Sequence, residues 1–294
     1  MPKLCSWRKF VWFFSFFKKM SKILPHLFIT KIIGILANSK ISLLKNLFIN
    51  LFLIFYKPNL DEALDPDLDS YKTYNDFFIR KLKKEVRPIN NRKECFISPV
   101  DGEIVDHGFI KEGQLIQAKK HKYPLKELVG DELEKHYEEG YFVTIYLAPT
   151  DYHRIHCPYD GKITHSSHLG ESLYSVNKKA QDLIPKLYIK NERSVLNVDS
   201  EFSDYALVSV GASVVGSIVP FWSKTNDSSR LDLINNWNEG PGSLSEVIKG
   251  QELAHFRMGS TIILILKKAN LFNLDSLNEK KLVKFGSELI SLKT

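Results

Sequence analysis

Four residues of this 294-residue chain carry side chains that together could run acyl chemistry: Asp101, His153, His156 and Ser260. Ser260 follows Gly259 directly and opens onto the apolar run Ile262 to Leu266. A serine hydroxyl becomes a nucleophile when a base lies within hydrogen-bond reach and a third group orients that base. Glycine ahead of it, having no Cβ, lets another group approach its carbonyl. Plainer uses exist for the same residues. Gly-Ser also makes turns, Asp101-Gly102 is a common hairpin turn, and a His-x-x-His pair is often structural. No cysteine or acid is spaced to complete a zinc site with His153 and His156, so no metal is expected.

The elements that must position these residues read mostly as β. Tyr141 to Leu147 is the strongest interior strand, and it delivers the chain into Ala148 to Pro158, where polar residues lie between two prolines. Glu103 to Phe109 alternates behind Asp101-Gly102, Gly113 to Ala118 is a further short strand, and Tyr159 to His168 another. Ala206 to Ile218 reads as two β segments separated by small residues, and Ile262 to Leu266 as a buried strand. Helices are expected over Tyr71 to Leu82, ended by Pro88, over Leu125 to Glu139 and over Leu173 to Leu183. The polar stretch 223–244 reads as a loop or insertion. The expected fold class is α+β, with N-terminal amphipathic helices on a membrane followed by a largely antiparallel β core.

Charge is unevenly placed. Residues 1–60 hold nine Lys and Arg8 with no acid, which leaves 31 basic against 34 acidic side chains in residues 61–294. A nucleic-acid partner is therefore not expected, despite a net charge of +7. The aromatic run Trp7 to Phe17 is too short to span a bilayer, which takes about 20 apolar residues, and lysines rather than a cleavage site follow it. Ile41 to Tyr56 has amphipathic-helix periodicity with basic or neutral polar residues, a composition suited to an anionic membrane surface. A boundary near residue 60 divides this membrane-associating segment from a catalytic domain over 61–294. Cys5, Cys95 and Cys157 are scattered and give no disulfide framework.

Taken together, the motifs resemble phosphatidylserine decarboxylases of the bacterial and mitochondrial type. The resemblance rests on Tyr71-Lys72-Thr73-Tyr74-Asn75-Asp76-Phe77-Phe78-Ile79-Arg80, Glu85-Val86-Arg87-Pro88-Ile89, Ser98-Pro99-Val100-Asp101-Gly102 and Gln117-Ala118-Lys119. It continues through Tyr146 to His156, Val210 to Ile218, Lys249-Gly250-Gln251-Glu252 and Phe256-Arg257-Met258-Gly259-Ser260-Thr261. Met258, Pro124 and Ala254 depart from the family pattern without removing a reactive group.

The resemblance implies a proenzyme that cuts itself between Gly259 and Ser260, giving chains 1–259 and 260–294 that stay together as a heterodimer. Ser260 would attack the Gly259 carbonyl, with His156 as general base oriented by Asp101. Ser260 would then become a pyruvoyl group that condenses with the amine of phosphatidylserine. Carbon dioxide and phosphatidylethanolamine would be the products, with His153 as proton donor or carboxylate binder. The expected location is the cytoplasmic face of a bacterial inner membrane, held peripherally, with the mitochondrial inner membrane as the alternative. The rival reading is a membrane-associated Ser/His/Asp hydrolase whose chain stays intact.

Overall fold

The computed structural model describes residues 33–117, 121–212, 218–224, 229–257, 260–279 and 281–293. The aromatic run at 7–17 lies outside them, as do Met258 and Gly259. An eight-stranded antiparallel sheet is the centre of the fold. From edge to edge it runs β11 (Glu246–Val247), β7 (Gly161–Leu169), β8 (Arg193–Asp199), β9 (Tyr205–Gly211), β13 (Ser260–Leu266), β5 (Tyr141–Leu147), β2 (Gly102–Phe109) and β14 (Leu282–Val283). β13 lies inside it, paired residue for residue with β9 and β5 from Ser260 to Leu266. Thr261 to Leu266 are buried, which is why this strand reads as a continuous apolar run rather than an alternation.

Both faces of the sheet are covered. One packs against the small sheet of β10 (Ile218–Pro220), β12 (Glu252–Phe256) and β6 (Arg154–His156) and against α7 (Arg230–Glu239), sharing a core of Val143, Ile145, Leu196, Leu264, Ile155, Phe256 and Trp237. The other packs against α3 (Leu125–Val129), α4 (Asp131–Tyr137), α5 (Lys178–Leu183) and α6 (Leu187–Lys190) through Leu128, Tyr137, Leu187, Val208 and Ile263. β1 (Cys95–Ile97) pairs with β15 (Glu288–Ser291), and β3 (Gln114–Gln117) pairs with β4 (His121–Pro124). The architecture is α+β, as the sequence pattern implies.

Four expectations need correction: to begin with, the helix expected over 173–183 is only α5, Lys178–Leu183, capped by Asn177. The helix expected over 71–82 is only α2, Tyr74–Phe78, opened by a Thr73/Asp76 capping box. Its continuation is drawn away by backbone bonds from Leu64 to Lys81 and from Lys83 to Glu62, so Arg80 and Lys81 lie in extended chain. Leu125–Glu139 is broken at Gly130, whose φ of +89° suits glycine. The stretch expected as a loop holds α7, which is polar but capped by Ser229 with Asp232, and it buries Leu233 and Trp237.

The N-terminal helix α1 (Ser42–Tyr56) forms as its periodicity predicts. Lys45, Ile49 and Phe52 face inward, and Phe52 meets Tyr74, Phe77 and Phe78 of α2 ring to ring. The Lys45 ammonium is accommodated by the carbonyls of Leu68 and Asp69 and by the Asp69 carboxylate at 3.7 Å. Ile41, Leu43, Leu47 and Ile54 are left exposed. Among the described residues, no helix is long and apolar enough to cross a membrane.

Candidate active site

The antiparallel pairing of β6 with β12 sets the two histidines at opposite ends of β12. His153 stands just ahead of β6, and its carbonyl accepts the Phe256 N–H at 3.0 Å. Phe256 ends β12, and four residues later the chain enters β13 at Ser260. His153 is thereby tied by backbone to the end of β12, while His156 pairs with Glu252 at its start. Ser260 itself takes the first register position of β13, opposite Leu147 and Gly211.

His156 is buried and fully engaged. Its Nδ1 lies 2.8 Å from the Gly250 carbonyl and its Nε2 3.1 Å from the Tyr152 hydroxyl. A carbonyl can only accept, so Nδ1 carries the proton and Nε2 presents a lone pair to the tyrosine O–H. The ring lies on Phe285, with centroids 3.6 Å apart. Burial pushes His156 down to about 4, so the neutral base form is the resting one. Gly250 has φ +84°, and a Cβ there would stand 3.0 Å from Ile89, so glycine suits the turn that offers this carbonyl.

Asp101 does not contact His156 directly, which corrects the expected orienting hydrogen bond. Its carboxylate accepts from Arg87 Nε at 3.0 and 3.1 Å, from Arg87 Nη2 at 2.5 Å and from the Phe285 N–H at 2.8 Å. Arg87 also holds Glu62 at 2.7 Å. The link from Asp101 to His156 therefore passes through Phe285, whose backbone meets the acid and whose ring meets the base. Gly102 is not a hairpin glycine: it begins β2, where a Cβ would stand 2.5 Å from the Tyr146 carbonyl of β5. A cavity of about 360 Å³ opens here, lined by Arg80, Arg87, Asp101, Tyr152, Lys57 and Lys284 among others.

His153 is fully buried, in contact with the Phe78 ring at 4.3 Å. Its Nδ1 donates to the Asp151 carbonyl at 2.7 Å, and its Nε2 has no hydrogen-bond partner. Burial, with the nearby Arg80 charge acting in the same direction, pushes it down to about 3 despite the Asp151 bond. Arg80 bonds the Thr150 carbonyl, and Arg154 bonds the Ile79 carbonyl while gripping Glu252 with both oxygens at 2.7 Å. Glu252 falls to about 2, because its bonds to His255 and Arg154 outweigh the effect of burial. These contacts clamp the chain around residues 148–156 to α2 and β12.

Sequence reasoning about single residues missed Arg87, Tyr152, Gly250 and Phe285, although the first three stand inside motifs it singled out. Phe285 carried no signal at all, since its role depends on where the chain end folds. Residues 260–294 contribute β13 to the main sheet, β14 beside β2, β15 beside β1, and Phe285 to the site.

A profile described as phosphatidylserine decarboxylase matches residues 74–291. The "Phosphatidylserine decarboxylase proenzyme" of Citrobacter koseri is 36% identical over 281 residues, covering 94% of this chain and 87% of the relative. Proteins of the same description from Salmonella paratyphi B and Salmonella newport are 37% identical with the same coverage. The matched span contains the Asp101, His153 and His156 sites and both flanks of Gly259-Ser260, and on that extent of similarity the chain belongs to the phosphatidylserine decarboxylase family.

Proposed function

We propose that the chain cuts itself between Gly259 and Ser260 and then decarboxylates phosphatidylserine to phosphatidylethanolamine and carbon dioxide. The observation that supports this reading is the bond from the Phe256 N–H to the His153 carbonyl, which fixes His153 against the end of β12, four residues ahead of Ser260. His156 Nε2, a lone pair on a neutral buried ring, is the atom that would take the Ser260 proton as the hydroxyl attacks the Gly259 carbonyl. The Tyr152 hydroxyl must yield its place at Nε2 for this to occur. Asp101 acts at one remove by fixing Phe285, and with it the imidazole plane.

Cutting there would make residue 260 a chain terminus, where the family's pyruvoyl group would be formed. The surroundings suit such a group: residue 260 is held on both sides by β5 and β9, and His153, bonded to the Phe256 N–H, has a buried, unpartnered Nε2. A pyruvoyl group supplies a ketone that takes up the substrate amine and draws electrons from the bond to the departing carboxylate. We assign His153 to proton delivery rather than to binding the carboxylate. A cation clamped on the carboxylate would favour the ground state over a transition state in which that charge is leaving. The Asp151 carbonyl holds the proton on Nδ1 of the neutral ring, so Nε2 is the atom that would first take up a proton from solvent and then deliver it to the substrate carbon. The reaction consumes one proton overall, drawn from solvent.

The substrate is a bilayer lipid, and the exposed Leu43, Leu47 and Ile54 of α1 suit a helix lying in an anionic surface beside the site. We place the protein peripherally on the cytoplasmic face of a bacterial inner membrane. Intact mass tests the cut. A 35-residue fragment of about 4 kDa, from the mean residue mass of this 33.9 kDa chain, is expected alongside the large one. Ser260→Ala should remain whole and inactive. A single uncut chain in active protein would refute the scheme and return the hydrolase reading, which a fluorophosphonate label on Ser260 would then identify.

A further inference from the structure

A second polar group lies on the main sheet, away from Asp101, His153 and His156. Glu192, the residue before β8, is only 1% exposed. Its Oε1 accepts from Arg230 Nε at 2.8 Å and from Arg230 Nη2, at the first turn of α7. Its Oε2 is buried with no hydrogen-bond partner. Around it, Ser194 Oγ and both ring nitrogens of His168 are also buried and unpartnered, with His168 Nε2 3.9 Å from Oε2. Buried polar atoms are nearly always bonded, so unpartnered atoms on Glu192 and on the register partners His168 and Ser194 mark a site rather than a surface.

Strand register joins this group to position 260. The Gly211 N–H donates to the Glu192 carbonyl at 2.8 Å, and Gly211 is the register partner of Ser260. One cross-strand row therefore runs Glu192, Gly211, Ser260, Leu147. Leu196 and Val198 of β8 belong to the core shared with β6, β12 and α7, and alternation along the strand puts Glu192 on that same face, beneath Arg230. Gly211 has no side chain, so nothing from the middle of the row fills the space between positions 192 and 260. Two strand spacings separate those positions by about 10 Å, a gap that a glutamate side chain and an amino-acid headgroup span together.

The chemistry of the unpartnered atoms selects the ligand. A carboxylate oxygen only accepts, while a hydroxyl and an imidazole nitrogen are also able to accept. A carboxylate oxygen with an imidazole nitrogen 3.9 Å away, and a serine two residues on along the same strand face, match an ammonium group, which has three hydrogens to give and no lone pair. We propose that Glu192 receives the ammonium of the phosphatidylserine headgroup on Oε2 and takes one proton from it, so that the amine reaches position 260 uncharged. The transfer balances as ammonium plus carboxylate giving amine plus carboxylic acid, and that acid proton is then available to the oxygen that departs as water. Burial raises the proton affinity of Glu192 against the opposing Arg230 contact, which suits a base that must hold a proton. The charged or titratable groups facing it are Arg230 from α7 and His168 from β7. This inference rests on position 260 bearing a ketone.

The test uses the full chain carrying Glu192→Gln, followed by three readouts: the 35-residue fragment, the mass of a hydroxylamine adduct on that fragment, and decarboxylation against pH. Hydroxylamine is a free base at neutral pH and needs no proton removed. Cutting and the adduct should match the parent, while the rate on phosphatidylserine at pH 7 should fall on the order of 100-fold, the usual scale for a lost proton-transfer group. That rate should then climb about tenfold per pH unit toward pH 9, following the free-amine fraction. A parental rate at pH 7, or an equal loss at pH 7 and pH 9, overturns the proposal. Absence of the adduct in the parent would overturn the ketone reading instead. If Glu192→Gln stays uncut, Glu192→Asp decides, since it keeps the charge. Cut chain with an adduct and the same pH climb supports the role; a parental rate, or failure to cut in both variants, makes Glu192 a strut and overturns it.

Discussion

Removing Arg87 should be among the costliest single changes in this protein. Asp101 and Arg87 side chains are each 7% exposed, and the guanidinium supplies the contacts at 2.5, 3.0 and 3.1 Å to that carboxylate. Arg87→Met leaves Asp101 buried with the Phe285 N–H alone. Breaking a buried pair from one side costs about 3–5 kcal/mol, because an uncompensated charge stays inside. Losing Glu62 adds less than about 1 kcal/mol, since its side chain is 23% exposed and well screened. Most of the loss is therefore carried by the stranded carboxylate, and Arg87→Met/Asp101→Leu should recover all but about 1–2 kcal/mol of it. Urea unfolding at pH 7 measures both variants in a Ser260→Ala background, where the chain stays in one piece. A cost under about 1 kcal/mol for Arg87→Met, or a double variant as damaged as the sum of its parts, would refute this account.

Other outcomes follow from the same geometry. Tyr152→Phe keeps the ring but removes the hydroxyl from His156 Nε2, so about 1 kcal/mol of stability should be lost while self-cutting continues; uncut Tyr152→Phe protein would mean the hydroxyl takes part in proton transfer. His153, His156 and His168 are held neutral in the fold at about 3, 4 and 4, so between pH 6.5 and 4 the unfolded chain binds protons that the folded chain does not. Stability should thus be full above about pH 6.5 and fall as pH drops, by about 1.4 kcal/mol per pH unit for each histidine, as read by denaturant midpoints at pH 7, 6 and 5. A flat profile over that window would contradict the burial of these rings. Leu43→Asp/Ile54→Asp should lower co-sedimentation with anionic vesicles several-fold and leave self-cutting unchanged; equal sedimentation would exclude α1 as the docking face.

What could be read from sequence was what is local. β5 and β13 announce themselves because strands buried on both faces need apolar residues at nearly every position, and β2 shows itself by alternation. α1 was visible through its periodicity, but the burial of Lys45 was not, because its ammonium is met by the Leu68 and Asp69 carbonyls from outside the helix. α7 was missed because its signal is a Ser229/Asp232 cap and two anchors, Leu233 and Trp237, in an otherwise polar stretch. The site divides in the same way. Asp101, His153 and His156 stand out by residue type beside Gly and Pro, whereas the partner of Asp101 is 14 residues away and Phe285 is 184 away. A partner chosen by tertiary folding leaves no spacing to recognise.

On the proposed cut, β13 has a consequence for how the mature protein persists. Its seven residues, bonded along both edges, would belong to a separate 35-residue molecule in the middle of the sheet. Opening the fold would then remain a one-molecule event, while rebuilding it would need two molecules to meet, in competition with aggregation of the exposed sheet. A cut protein that melts would not come back at the dilution of a cell membrane, whereas the uncut precursor could. Its lifetime is then set by the height of the barrier to unfolding rather than by the equilibrium between folded and unfolded chains.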